Sequence, residues 1–590
     1  MYADVVRMLK IRPEGRIFLR MQKIALFFLF SSWLEPLHFL PWVSWHNELW
    51  SILAVLLLAW HGLLERIKKK DLNTFLPISI LPFVALGAIV AMQLALGVIT
   101  FAGDAGMMGF YMALCVICLS MGFAAGRNAV DMRAVGSGAI TGGQGESTAT
   151  LLAFALLAGA FASAVLAFCQ IFELWEGAGW ISRMPELRRP GGNLGQPNHL
   201  ATLLIMGLAS LLFLHESKKV RALPSALILL TLCVALAATE SRTGVLNFLL
   251  LSLWWFVKRK PAEFGLSPWL VLLVDLGFIA LFLSWPSIYI FILQISSGGA
   301  EVNTQLGGRW VVWPQLLDAV TQRPWSGWGL GQVAAAHNAV VHAYTTSEPF
   351  SYSHNILLDL ALGVGVPLTA LLTLAVGIWL WRRVRSTARL LPWYCLALIL
   401  PVGIHSMFEF PFAYAYFLVP VMLAAGALDG LIETKPVIRM GVWTAASLLL
   451  GLSIVAAWSV AEYVAVEEDF RIVRFEDLRI GKTPTDYERP NVVLLTQLAA
   501  LLDGARITPK PNMTDQELAL AKNVALRYPW TATQNRYALS LALNGSPGEA
   551  VRQLRVMKAM HGEKRYREIK SNWNDLARDR YPELRELTLP

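Results

Sequence analysis

Four short stretches of this chain gather side chains that bind anions or move protons, and each borders a long apolar run. The first is Arg188-Arg-Pro-Gly-Gly-Asn-Leu-Gly-Gln-Pro-Asn-His-Leu-Ala201, where two guanidiniums precede an irregular segment that delivers Gln196, Asn198 and His199. The second is Glu240-Ser-Arg-Thr-Gly244, a tight turn between two apolar runs. Arginine's planar fork donates paired hydrogen bonds to phosphate, so Arg242 and one of Arg188 or Arg189 are candidate anion ligands. The third holds Gly307-Gly-Arg-Trp310 and Pro324-Trp-Ser-Gly-Trp-Gly-Leu-Gly331, and ends in Ser353-His-Asn-Ile-Leu-Leu-Asp359. Histidine titrates near working pH and can take a proton from a hydroxyl. His337 and His342 share that stretch, but His354 stands beside Asn355 at the mouth of the next apolar run, which makes it the candidate base. The fourth is His405-Ser-Met-Phe-Glu-Phe-Pro-Phe-Ala-Tyr-Ala-Tyr416, with Glu409 in the turn and Tyr414 and Tyr416 entering the following run.

Plainer readings compete. The first stretch also reads as a connecting loop with Asn198 as the helix N-cap, although capping uses one polar residue and leaves the others unexplained. Arg242 has a structural alternative as the partner of Glu240, and Arg309 as a residue that shapes its loop. Interfacial tyrosines are routine in membrane proteins. The absences narrow the chemistry further. The outer loops carry no D-x-D, no H-E-x-x-H and no clustered carboxylates, and no nucleotide-binding glycine loop stands in a credible setting. ATP-driven transport and metal-dependent transfer from nucleotide sugars therefore lack sequence support. No metal or other cofactor is expected.

A scaffold must hold these stretches at one level, and composition identifies it. Of 590 residues, 56% are hydrophobic, 11% aromatic and only 15% charged, with a mean hydropathy of +0.51. Soluble globular chains carry about 25% charged residues, so this chain is read as an all-α polytopic membrane protein. Its apolar runs predict roughly 13 spans, near 24–40, 49–64, 75–98, 107–125, 150–171, 198–214, 223–239, 244–257, 268–292, 356–380, 391–406, 410–428 and 441–460. The first is expected to remain uncleaved, because Glu35 and two prolines interrupt it and no small-residue cleavage site follows. All five cysteines fall in apolar runs and are read as inert buried thiols.

Loop charge sets the orientation. Basic residues cluster at 66–70, 218–221, 258–260 and 382–389, all in alternate loops. With the basic N-terminus they mark the cytoplasmic side, and an odd number of spans places the C-terminus outside. The net charge of +9 follows from these loops and lacks the basic, aromatic-interleaved surface of a nucleic-acid binder. Arg188, Arg189, Arg242 and Arg309 break the rule on the opposite face, together with His199 and His354. Cations there suit a polyanionic, lipid-linked substrate. Two outer loops are long, about 172–197 and 293–355, and a glycine-rich stretch at 134–148 is read as a flexible cytoplasmic loop. Residues 461–590 turn charged, and helical periodicity at 492–503, 515–527, 534–544 and 547–561 predicts a soluble helical outer domain with one tetratricopeptide-like helix pair.

Three motifs, two of them within the stretches above, carry a resemblance. Gly195-Gln-Pro-Asn-His-Leu-Ala201, Trp45-His-Asn-Glu48 and His405-Ser-Met-Phe-Glu-Phe-Pro411 are similar to motifs of bacterial protein O-oligosaccharyltransferases of the pilin-glycosylating type. Residues 301–428 resemble the wider O-antigen ligase/polymerase superfamily, whose large periplasmic loop ends in a histidine before a span. The likeness covers nearly the whole membrane region and fades after residue 460. It implies a GT-C-like transmembrane glycosyltransferase domain over 1–460 in the bacterial inner membrane, followed by a periplasmic C-terminal domain. It also implies transfer of a preassembled oligosaccharide from undecaprenyl pyrophosphate to Ser or Thr hydroxyls of a periplasmic acceptor such as pilin, without metal or nucleotide. His354 would then match the essential loop histidine, and Arg242 with Arg188 or Arg189 would hold the pyrophosphate. Gln196 and either Tyr414 or Tyr416 match positions implicated in activity, while Asn198, His199, Arg309 and Glu409 complete the expected substrate site.

The chemistry agrees with that implication. Cleaving a glycosyl–phosphate bond leaves charge that preorganised guanidiniums stabilise as an oxyanion hole does. Rival readings are a ligase acting on lipid A-core, a glycan polymerase, and a transporter of lipid-linked sugars. A transporter should carry charges near the bilayer midplane in broken helices, whereas here they gather at the outer mouth.

Overall fold

The computed structural model describes residues 13–134, 144–174, 179–185, 189–293, 308–432 and 438–590. Arg188, most of the glycine-rich stretch at 134–148, and 294–307 of the large loop lie outside the described residues. In chain order the helices are α1 (Pro13–Leu34), α2 (Trp45–Lys68), α3 (Leu81–Ala95), α4 (Ala102–Ala134), α5 (Gln144–Ile171), α6 (Pro197–Glu216), α7 (Ala222–Ala238), α8 (Arg242–Lys258) and α9 (Pro268–Leu293). The large loop contributes α10 (Arg309–Gln322), α11 (Val333–Val341) and α12 (Ile356–Val364). Then come α13 (Val366–Ser386), α14 (Leu390–His405), α15 (Ala415–Ile432) and α16 (Val442–Asp477), followed by α17 (Thr496–Arg506), α18 (Asp515–Arg527), α19 (Thr531–Leu543) and α20 (Pro547–Asp579).

Among the described residues, 8 helical spans are long and apolar enough to cross a bilayer, and shorter apolar helices at Met21–Leu34, Ala222–Ala238 and Leu390–His405 accompany them. The architecture is that of a mainly helical, polytopic membrane protein. It departs from the sequence expectation at three places. The tenth expected span, 356–380, is two helices broken at Gly365, which adopts φ +82°. A side chain there would collide with the backbone of Pro324 and Trp325, so a loop segment crosses the break that the apolar run conceals. The first helix ends at Leu34 rather than near residue 40, and Glu35 turns back to accept from Trp50 Nε1 at 2.7 Å. The fold also includes one antiparallel sheet, β1 (Asn73–Leu76) with β2 (Ile438–Gly441), whose strands pair across the chain where local periodicity cannot reveal it.

The chain divides into two compact units, one of residues 1–84, 111–304 and 378–453 and the other of 85–110, 305–377 and 454–590. In the first unit α6 is central, with 89% of its span buried among α5, α7, α8 and α14. In lipid, helices gain little by excluding water and associate through close packing of small residues. The sequence supplies these in register: Gly122 and Gly126 of α4 face Gly426 and Gly430 of α15, and a methyl group on any of them would strike the facing backbone. Below that seam Arg383 is buried, and its charge is compensated by Asp429 at 2.7 Å.

The second unit builds its own small core from Val312, Leu316, Val340, Phe350 and Leu362 of the large loop. Its C-terminal helices α17 to α20 layer as hairpins. A capping box, with Thr514 accepting from Glu517 N and Glu517 accepting from Thr514 N, starts α18. Asp104 in the first turn of α4 receives Arg527 of α18 at 2.7 Å.

Candidate active site

The loop before α6 is held rigidly. Gln170, at the end of α5, accepts from Gly191 N at 3.1 Å and Gly192 N at 2.9 Å, and donates to Gly192 O at 3.0 Å. Asn193 is buried and donates to Leu34 O at 2.7 Å and Trp180 O at 2.9 Å, while its Oδ1 accepts from Ser182 N at 3.0 Å. His38 Nε2 meets Asn193 O at 2.7 Å. Gly192 and Gly195 supply the positive φ that two sharp reversals require, and Pro197 opens the helix as an N1 residue should. The N-cap position falls to half-buried Gln196, whose side chain makes no capping bond, so Asn198 lies inside the first turn and is free of capping duty.

Asn198 instead joins two turns. Its Oδ1 accepts from Ser241 Oγ at 2.7 Å and its Nδ2 donates to Glu409 Oε1 at 3.2 Å. Ser241 in turn caps α8, accepting from Gly244 N at 3.0 Å, and Arg242 is the exposed first residue of that helix. Arg189 comes to the same turn, with its Nε donating to Thr239 O at 2.9 Å. Two of the four suspected arginines thus converge on residues 239–242, held from behind by Asn198 and the buried Glu409.

His199 lies one residue deeper. Its Nδ1 lies 3.1 Å from Tyr416 Oη, and its ring packs 4.7 Å from Tyr414 and 5.8 Å from His405. His405 Nδ1 meets Thr202 Oγ1 at 2.7 Å. The two tyrosines differ in access: Tyr416 is buried, whereas Tyr414 is half-buried. Glu48, from the Trp45-His-Asn-Glu48 turn, braces both, because its Oε2 accepts from Tyr111 Oη at 2.6 Å and from Ala415 N at 2.7 Å.

His354 and Arg309 belong to the second unit. His354 holds φ +60°, a conformation that costs a non-glycine residue roughly 1–2 kcal/mol and persists only under external constraint. Trp313 Nε1 donates to Ser353 O at 2.7 Å, Ser353 N donates to Asp359 Oδ1 at 2.9 Å, and the Phe350 ring lies 4.6 Å from the imidazole. Asn355 caps α12, accepting from Leu357 N and Leu358 N at 3.0 and 3.1 Å. Arg309 is the half-buried first residue of α10. His337 is fully buried between Gln315 Oε1 at 2.8 Å and Ser347 Oγ at 3.0 Å, and burial pushes its pKa down to about 4. So weak and inaccessible a base is structural. Among the described residues, no three His, Cys, Asp or Glu side chains converge where they would hold a metal ion.

Glu48, Thr202, His405, Gln170 and Asp359 were not singled out as site residues from sequence. Glu48, His405 and Asp359 lie within quoted motifs, but none of those motifs reveals its partners.

Comparison with known proteins gives matches along most of the chain. The family described as O-Antigen ligase matches residues 226–373, and Protein glycosylation ligase matches 190–215. The family described as Virulence factor membrane-bound polymerase, C-terminal, matches 393–574. The chain is 25% identical to a General O-oligosaccharyltransferase of Acinetobacter baylyi over 90% of each protein. It is also 32% identical to the ComP-specific O-oligosaccharyltransferase of the same organism, over 42% of this chain and 44% of that protein.

Proposed function

We propose that the chain, which is similar to bacterial protein O-oligosaccharyltransferases and to the O-antigen ligase family, moves a whole oligosaccharide from undecaprenyl pyrophosphate to Ser or Thr hydroxyls of a periplasmic, pilin-like protein. The observation that carries this reading is the pairing of Arg189 and Arg242 at one turn, backed by Asn198 and Glu409. Guanidiniums so placed suit a pyrophosphate, whose two charges need donors on more than one side. Gln196 and Tyr414 are both half-buried, Tyr414 against the His199 ring, and in this reading they act on the bound substrate.

In the proposed step the acceptor hydroxyl oxygen bonds to the anomeric carbon as the carbon–phosphate oxygen bond breaks. The hydroxyl proton passes to His354, and the electron pair leaves with undecaprenyl pyrophosphate, held by the arginines. One displacement inverts the anomeric centre. The site would face the periplasm from the inner membrane, with residues 461–590 on the same side.

Purified protein supplied with undecaprenyl-pyrophosphate oligosaccharide and a serine-containing acceptor peptide tests this. Glycopeptide of inverted configuration is expected, and His354→Gln should lower kcat by about a hundredfold to ten-thousandfold, the range for a lost general base. Near-normal transfer by that variant would overturn the role of His354. The polymerase match over 393–574 favours a second reading, extension of a glycan chain; longer glycan without glycopeptide in the same assay would select it.

A further inference from the structure

Within the second unit the C-terminal helices grip the segment that carries His354. Asn338 of α11 and Gln553 of α20, both buried, exchange reciprocal amide bonds: Asn338 Nδ2 donates to Gln553 Oε1 and Gln553 Nε2 donates to Asn338 Oδ1, each at 3.2 Å. Arg552 Nη1 adds a bond to Asn338 O at 3.2 Å, and Val341 packs against Val556, Ala559 and Met560. The loop is caught again further on, where Ser347 N donates to Ala559 O at 2.8 Å. Ser347 Oγ donates to Gln315 Oε1 at 2.6 Å, and Gln315 Nε2 donates to Thr346 O at 2.8 Å. Three residues later Phe350 enters the loop core and lies against His354.

This chain of contacts ends at a histidine with φ +60°. A left-handed non-glycine residue stays so only while its surroundings over-determine it, and α20 supplies part of that constraint. An ordinary surface contact between a loop and a helical layer would not need a buried, fully reciprocal amide pair. Two side chains of limited reach that donate to each other fix a register, and Gln553 Nε2 also donates to Glu549 Oε1 at 3.1 Å on its own helix.

We propose that Gln553 and Asn338 are positioning residues for glycan transfer, through which the C-terminal helical layer sets the aim of His354. The inference rests on the reading of His354 as the proton acceptor. It assigns the C-terminal layer a role in turnover that is separate from recognising the acceptor.

The full-length chain, in the peptide assay described above, separates kcat from KM. Gln553→Ala should lower kcat on the order of tenfold to a hundredfold, as a misplacement near 1 Å does, with KM for donor and peptide unchanged. Gln553→Met keeps the side chain's length but can neither donate to nor accept from Asn338, so it should show the same loss and carries the test if the alanine variant fails to accumulate. The exchanged pair Asn338→Gln with Gln553→Asn restores a reciprocal amide contact of equal total length and should recover kcat, whereas either exchange alone should not. Wild-type kcat in both Gln553 variants, or a loss carried by peptide KM alone, overturns the proposal; the second result would make the layer an acceptor dock. His354→Gln is measured in parallel. If it is silent while the Gln553 variants turn over normally, only the positioning role fails; if it is active, the reading of His354 itself fails.

Discussion

Arg242 is exposed at the head of α8 while Arg189 is half-buried against the preceding carbonyl, so one turn offers guanidinium at two depths. Arg242 has the freer fork for a phosphate. Replacing it with lysine keeps the charge and removes the paired donors. Losing one charge-assisted hydrogen bond is worth about 1.5–3 kcal/mol, so Arg242→Lys should cut kcat/KM for the lipid-linked donor by roughly tenfold to a hundredfold. Steady-state kinetics with varied donor reads this directly, and unchanged kcat/KM would remove Arg242 from the pyrophosphate site. At this scale sequence reasoning singled out the arginines and His354 as candidates because charge at the outer end of an apolar run is anomalous by itself. It passed over Glu48, since nothing local says that its carboxylate serves Tyr111, 63 residues away, and Ala415, 367 residues away. It also left Tyr414 and Tyr416 equivalent, and only packing separates the accessible ring from the buried one.

The helices that carry these residues depend on one another through surfaces almost without side chains. At the α4–α15 seam, Gly426 lies against the Leu119 carbonyl, and a Cβ there would overlap it. Because α15 begins where Glu48 fixes Ala415, opening the seam would also disturb Tyr414 and Tyr416. Gly426→Ala should therefore destabilise the solubilised protein by about 1–3 kcal/mol, the range for overpacking a close contact. Gly451 of α16 has no neighbouring atom within 4 Å of such a methyl group, and Gly451→Ala should be neutral or stabilising by up to about 1 kcal/mol through helix propensity. Thermal midpoints of both variants check this; equal effects would show that the seam is not tight. The apolar runs made most of the helices legible, because burial in lipid is written into local composition. The break at Gly365 and the pairing of β1 with β2 were not, since each answers to a segment distant in the chain.

For the whole molecule, the proposed transfer would need a site open to the side where acceptor proteins arrive. The basic loops at 66–70, 218–221, 258–260 and 382–389 predict the orientation that this proposal needs, with those loops cytoplasmic and the C-terminus outside. The protein carries its own low background for a labelling test, because Cys115, Cys118, Cys169, Cys233 and Cys395 are all buried, none more than 7% exposed. Single cysteines replacing the exposed residues Lys69 and Glu583 would then report each side alone. In cells with a permeabilised outer membrane, a membrane-impermeant maleimide should label Glu583→Cys at once and Lys69→Cys only after detergent lysis, while the parent chain stays unlabelled. The reverse pattern would turn the protein over and place the arginine turn away from any periplasmic acceptor. Labelling of both before lysis would mean that the chain crosses an even number of times between them, and the odd count on which the orientation rests would fall.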